Sequence, residues 1–516
     1  MPAAGRLFGE AWVRSRPMGP LISRERLGPV ADAADAATKD LTERDAVGRL
    51  RAMDHTLWSD DPTELADRMG WLPVVGEMPA NLPHLEAVAQ EAAADGLRHA
   101  VLLGMGGSSL FPEVLWRTYG PGRGGALDLR VLDTTDPAPI ARVADELDLA
   151  ATLFVAASKS GSTIETRTQL DHFWEATGGD PRRFLVITDP GSELAAWGHD
   201  HGVRAVFENR SDIGGRYSAL SYFGLVPGAL IGAPVAELLE QASQVDLHEA
   251  LRLGAIIGAG AREGRDKLTF VLPQELASFG LWLEQLVAES TGKHGVGIVP
   301  VAGEPVGAPD VYGDDRLFVS LAGPLDELAD AGHPVVELDG GLGAQVLLWE
   351  AATAFAGAVL GINPFDQPDV QSAKTATGKV LDEGVPADLP TSGVDDLLAQ
   401  VRPGDYLVLM AFVDPGDDAL LAGLERKRVE LRDRLRVATT VGIGPRFLHS
   451  TGQLHKGGAP TGVFLQVLGD DPRDLPIPGR PYTFSTLKQA QAAGDLLALH
   501  ERGLRAARVP LEELLA

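Results

Sequence analysis

The sequence predicts an α/β protein, built from two tandem doubly wound parallel-sheet domains followed by a C-terminal α/β domain. Three observations predict it. Apolar runs of strand length alternate with Ala- and Leu-rich helical stretches between about residues 76 and 235. The pattern repeats between about 250 and 375, and a further strand-and-helix succession follows from about 376. Alternation of this kind implies βαβ units and parallel sheets. At 516 residues the chain is also too long for one core and calls for two to four domains.

Taken in order, residues 1–75 read as a helical, amphipathic segment rich in Ala, Asp, Glu and Arg, with Trp58 and Trp71 as anchors for docking. The first domain, 76–240, has strands beginning at His99 (HAVLL), Leu127 (LDLRVLD), Thr152 (TLFVAA) and Phe184 (FLVITD). Asp133, Asp136 and Asp189 fall at strand C-terminal ends, where open α/β sheets place ligands, although such carboxylates also serve as helix caps. The second domain, 241–380, has strands beginning at Leu268, Leu317 and Pro334, with helices around 281–290 and 345–360. Two similar units in tandem suggest a duplication with a site in the cleft between them. The third domain, 381–516, contains the run DYLVLMAFV from Asp405, a charged helix near 424–435 and a helical tail.

Charge narrows the partners. The net charge is −27 and the pI near 4.8, which argues against nucleic acid or an anionic membrane. An anionic small substrate then needs local positive charge. Arginine far outnumbers lysine, yet Lys159, Lys293, Lys374 and Lys456 all lie in Gly- and polar-rich motif segments, where a compact ammonium is wanted. There is no cysteine, so disulfides and thiolate metal sites are excluded. The stretch MPAAGRLFGEAWVRSRP lacks a continuous apolar region, and the apolar run near 347–362 is broken by Glu350, so the expected location is the cytoplasm.

Two loops carry the first chemistry. GMGGSSL (104–110) and SKSGSTIET (158–166) each follow a strand and precede a helix, so backbone N–H groups and hydroxyls converge where the helix dipole is positive. Gly104, Gly106 and Gly107 allow close ligand approach, while Ser158, Ser160, Ser162 and Thr163 supply donors for phosphate oxygens. Further on, SDIGGRYSALSYFGL (211–225) presents Arg216 after two glycines, suited to a developing oxyanion. In EQLVAESTGK (284–293), Gln285 and Glu289 share a helix face at i, i+4.

The order GGRYS, then ESTGK, then NPFDQPDVQSAK from Asn363 resembles the phosphoglucose isomerase family, aldose–ketose isomerases of glycolysis and gluconeogenesis with two sugar-isomerase domains. The resemblance covers about residues 95–380. Beyond 400, GPRFLHSTGQLHKGG from Gly444 resembles the C-terminal domain of isomerases fused to transaldolase. That barrel would need about 250 residues, and fewer precede the first strand here. The resemblance makes Glu289 the base that moves a proton through an enediolate, Arg216 the group that stabilises it, and Lys374 an assistant at the ring oxygen or hydroxyl end. Gly107, Ser108, Ser158, Lys159, Ser160 and Thr163 would hold the phosphate, with Gln285 and Gln367 along the sugar. One carboxylate can remove and return the proton, so no cofactor and no metal is expected.

The family's ring-opening histidine follows the glutamate motif and often comes across a dimer interface, but residues 299–319 contain none. His294 is the nearest candidate, with His449 and His455 as rivals. The expected partner is a phosphosugar; a homodimer is compatible with it. The leading substrate pair is glucose 6-phosphate and fructose 6-phosphate. The alternatives are a dual glucose and mannose phosphate isomerase or a non-catalytic phosphosugar-binding protein. A sensor would have no need of Glu289, Arg216 and Lys374 together.

Overall fold

A computed structural model of the chain describes residues 19–120 and 126–516. Residues 1–18, which hold the stretch read for a leader, lie outside the described residues. The remainder of the N-terminal segment is not purely helical. Strand β1 (Ile22–Arg26) precedes the helices Ala31–Glu43 and Ala46–Arg51. Its sequence, ISRER, has no apolar alternation, which is why composition pointed to helix instead.

The first sheet comprises β2 (His99–Gly104), β3 (Asp128–Leu132), β4 (Thr152–Ser158), β5 (Phe184–Thr188) and β6 (Ala205–Glu208), in the order β3-β2-β4-β5-β6 and parallel throughout. The second comprises β7 (Lys267–Val271), β8 (Val299–Val301), β9 (Arg316–Ser320) and β10 (Val335–Leu338), with β1 at its edge, in the order β1-β10-β9-β7-β8. Only β1 runs antiparallel there. The third comprises β11 (Tyr406–Phe412), β12 (Ala438–Ile443), β13 (Gly462–Leu468) and β14 (Arg505–Arg508), in the parallel order β12-β11-β13-β14.

Counted in chain order with β1 set aside, the first four strands of all three sheets share the order second, first, third, fourth. In the first sheet β6 adds a fifth strand; in the second, β1 takes that place from the other end of the chain. Strand order reverses between β2 and β4, so a crevice opens beyond their C-terminal ends. The loops that follow those two strands are GMGGSS and SKSGST.

The principal core lies around the helix Leu342–Leu360, which is buried on nearly all sides. It is the one helix among the described residues long and apolar enough to cross a membrane, and 94% of its most apolar 18-residue stretch is inside the fold. Trp58 donates to the Ala354 carbonyl on that helix at 2.7 Å, and Trp71 packs its ring 5.2 Å from Tyr217. Both tryptophans thus anchor the N-terminal segment.

The third sheet's unit docks over the first sheet's C-terminal ends through buried ion pairs. Arg446 bridges Glu113 at 2.6 Å and Asp133 at 2.7 Å. Lys488 pairs with Asp136 at 2.9 Å and with Asp471. Asp136 also caps the helix Pro137–Glu146, so the capping and pairing uses coexist.

Candidate active site

Glu289 stands near the C-terminal end of the helix Phe279–Thr291 and is only 5% exposed. Its carboxylate lies 3.9 Å from Arg216 Nη1 and accepts a hydrogen bond from Gln285 Nε2 at 3.3 Å. Burial pushes the Glu289 carboxyl up to about 7, against Arg216 and then His449, which favour the anion. A carboxyl so placed exchanges a proton near neutrality, as a general base must.

Arg216 is fixed from three sides in the short turn Gly215–Tyr217. Its Nε donates to Ser290 Oγ at 2.8 Å, and Nη2 donates to the carbonyls of Pro364 and Asp366 at 2.7 and 2.9 Å. Lys293, fully buried, donates to the Asn363 and Asp366 carbonyls, both at 2.7 Å, and to the Asp366 carboxylate at 2.5 Å. Two cations thereby shape the Asn363–Asp366 loop.

The turn Gly106–Ser108 presses onto this assembly. A Cβ on Gly107 would sit 1.9 Å from the Gly215 carbonyl oxygen, so only glycine permits the approach. Ser108 is buried in the same turn. In the second loop, Ser158 Oγ and Thr163 Oγ1 are 2.9 Å apart and Gly161 N–H donates to Ser158 Oγ, while Ser162 Oγ donates to Ser160 Oγ at 3.1 Å. Thr163 heads the helix Ile164–Ala176. Lys159 turns elsewhere: its ammonium is bound by Asp189 and the Ser211 carbonyl.

A cavity of about 330 Å³ is lined among others by Thr163, Glu165, Lys374, His449, Lys456 and Gln491; Glu289, Arg216 and Gln285 are not on its wall and adjoin it through His449. His449 belongs to the third sheet's unit. Its carbonyl accepts from Gln285 at 2.7 Å and its Nε2 lies 2.8 Å from Glu165 Oε1. Burial lowers the proton affinity of His449, but the charge of Glu165 and the hydrogen bond to it outweigh this and raise its pKa above the usual histidine value. Lys374 is exposed on the helix Val370–Glu383, close enough for its charge to act on both Glu165 and His449.

The structure therefore brings Glu289, Arg216, Gln285 and Gly107 together and sets the hydroxyl loop and Lys374 at the adjoining cavity. It does not bring His294 there. His294 is exposed at a left-handed turn with φ of 56° and is absent from the cavity wall. Gln367 is exposed in the loop before the Lys374 helix. His455 is buried against Phe464 and Phe447 rather than in this cavity. Glu165 and Gln491 were not singled out from sequence. Glu165 lies inside SKSGSTIET, and what sets it apart is the histidine it meets, 284 positions away.

Parallel sheets, a hydroxyl-rich loop at a strand-order reversal and a buried carboxylate beside an arginine define a phosphosugar isomerase of the sugar-isomerase type. The phosphoglucose isomerase family pattern matches residues 86–302. A glucose-6-phosphate isomerase of Rubrobacter xylanophilus is 30% identical over 64% of this chain and 91% of its own length. One from Thermus thermophilus is 30% identical over 62% and 91%. Among solved structures, a hypothetical protein from Thermus thermophilus superposes with a TM-score of 0.58 at 26% identity, over 69% of this chain and all of the other. A glucose-6-phosphate isomerase from Chlamydia trachomatis shares the fold, with a TM-score of 0.53 at 19% identity, over 68% and 86%. The chain belongs to the phosphoglucose isomerase family, and its activity is glucose-6-phosphate isomerisation.

Proposed function

We propose that this site interconverts glucose 6-phosphate and fructose 6-phosphate with Glu289 carrying a proton between the two carbons that flank the enediolate. The buried Glu289 carboxyl, 3.9 Å from Arg216, is the observation that supports it most. Arg216 stabilises the enediolate oxygen, since a cation fixed beforehand by three hydrogen bonds needs no reorganisation as charge develops. Gly107, Ser108, Ser158, Ser160 and Thr163 receive the phosphate, while Lys159 orders that loop through Asp189. Gln285 faces the sugar, Gln367 borders it from the exposed loop before the Lys374 helix, and Lys374 acts at its hydroxyl end.

His449, held by Glu165, opens the ring in this reading, in the place first given to His294. Its raised proton affinity suits an acid that donates to the ring oxygen. The C-terminal position of His449 supports likeness to the isomerase part of transaldolase-fused enzymes. The three separate sheets support a division at about residues 240 and 380, with the third unit closing over the first, while the expected boundary at about 75 is crossed by β1, which joins the second sheet. All these groups come from one chain, so a homodimer is a separate expectation, tested by sizing the protein in solution. Action in the cytoplasm goes with the same reading.

Glu289→Gln tests the assignment. Turnover should fall by about 10²- to 10⁴-fold or more, while phosphosugar binding holds, and solvent deuterium should no longer enter the carbon next to the carbonyl. Persistent exchange in the variant overturns the base.

A further inference from the structure

His449 accounts for one position of the Gly444–Gly458 motif; four residues on, Gln453 is fully buried in the short helix Gly452–Gly457. Every hydrogen-bonding position of its amide nitrogen is used. Nε2 donates to the Gly292 carbonyl at 2.9 Å and to Asp369 Oδ2 at 2.7 Å, while Oε1 accepts from the Asp369 backbone N–H at 2.9 Å. A primary amide offers two N–H donors on one nitrogen and an acceptor oxygen beside it, a combination no carboxylate or hydroxyl supplies.

The two ends of this bridge matter. Gly292 terminates the helix that carries Glu289, and Asp369 immediately precedes the helix that carries Lys374. The other Asp369 oxygen is held by Arg502 at 2.8 Å. The fit is tight on both sides: a Cβ on Gly457 would lie 2.2 Å from Asp369 Oδ2, and one on Gly292 would lie 2.4 Å from Leu454 Cα. We infer that Gln453 is a positioning residue that sets the helix of Lys374 against the helix of Glu289, on the same motif that delivers His449. The inference rests on the acid–base roles given above to those three groups. A misplacement of about 1 Å far from the reacting atoms costs about 10²-fold in rate, so one misfitted amide should be visible in turnover.

Gln453→Glu has the same shape but removes both donors and sets a second carboxylate against Asp369. It should lower kcat by about 10²-fold and leave the KM for glucose 6-phosphate and inhibition by inorganic phosphate within about threefold, because the phosphate loop lies on the first sheet. Adding Asp369→Asn rebuilds the amide–carboxylate pair in the opposite sense and should restore about tenfold or more of the lost kcat. Gln453→Met, uncharged and of similar length, serves where the glutamate disturbs folding, with the same split between kcat and KM expected. Native-like kcat in these variants, a double variant no better than the single one, or kcat and KM worsening together overturns the inference. Glu289→Gln in the same assay separates the levels. If it is inactive while Gln453→Glu is native-like, the positioning role alone fails; if Glu289→Gln turns over normally, the acid–base reading fails and this inference with it.

Discussion

His449 Nε2, in the turn after β12, meets Glu165 Oε1, on the helix after β4, at 2.8 Å, and Gln491 Nε2 donates to the same oxygen at 2.7 Å. Thr135 Oγ1 in turn donates to Gln491 Oε1 at 2.6 Å, so the contact ends a buried chain of side chains rather than standing alone. Burial alone would raise the Glu165 carboxyl; the charge and hydrogen bond of His449 outweigh it and hold the group below its usual range. Each partner therefore favours the charged form of the other. The third unit docks by ion pairs at Arg446 and Lys488, and the same docking places His449 over the cavity.

Replacing Ser158 and Thr163 together by alanine should raise the KM for the phosphosugar with little change in kcat. Their hydroxyls lie 2.9 Å apart at the head of a helix, and each bond to a charged group contributes about 1.5 to 3 kcal/mol. Inorganic phosphate should inhibit the native protein competitively and the double variant far less. Equal inhibition of both would place the phosphate elsewhere.

Stability should carry a signature of Glu350. Both its carboxyl oxygens are buried without a partner among the described residues, and burial raises its pKa well above 4.5. In the unfolded chain the group ionises near its ordinary value, so at higher pH folding must take up a proton. That costs about 1.4 kcal/mol for each pH unit above the unfolded pKa, until the folded pKa is reached. The sign follows: Glu350 destabilises as pH rises and is without this effect in acid. Glu350→Gln should melt higher than the native protein at pH 7 to 8, and the gain should vanish towards pH 4.5. A gain independent of pH would mean the group is not protonated in the fold.

The sequence was most legible where periodicity and small-residue loops coincide. Strands β2 and β4 have apolar interiors and end in a glycine and a serine, so their positions, and the glycine- and hydroxyl-rich loops after them, followed from local pattern. Strands β1 and β8 were hidden, one by its charged ISRER sequence and the other by being three residues long with a central proline. The pairing of Glu165 with His449 and the bridge at Gln453 depend on elements brought together only by docking. Periodicity within either segment contains no trace of that. His294 shows the converse, since closeness to Glu289 in sequence suggested a role, while a left-handed turn sends it to the surface.

His449→Ala should slow glucose 6-phosphate turnover by about 10²- to 10⁴-fold, as loss of a general acid does, and leave a four-carbon aldose phosphate nearly unaffected. The shorter sugar cannot form a six-membered ring, so it reaches Glu289 already open. His294→Ala should be close to native on both, because that side chain is exposed and away from the cavity. The pH dependence supplies a second reading of the same group. Ring opening by the imidazolium is lost as pH rises through the raised His449 pKa, while proton abstraction is lost as pH falls through about 7 at Glu289. Glu165→Gln removes the anion that raises His449, so the alkaline limb should move to lower pH and the acid limb should stay. If His449→Ala slows both sugars equally, its side chain acts on a step the two sugars share, and ring opening belongs to another group.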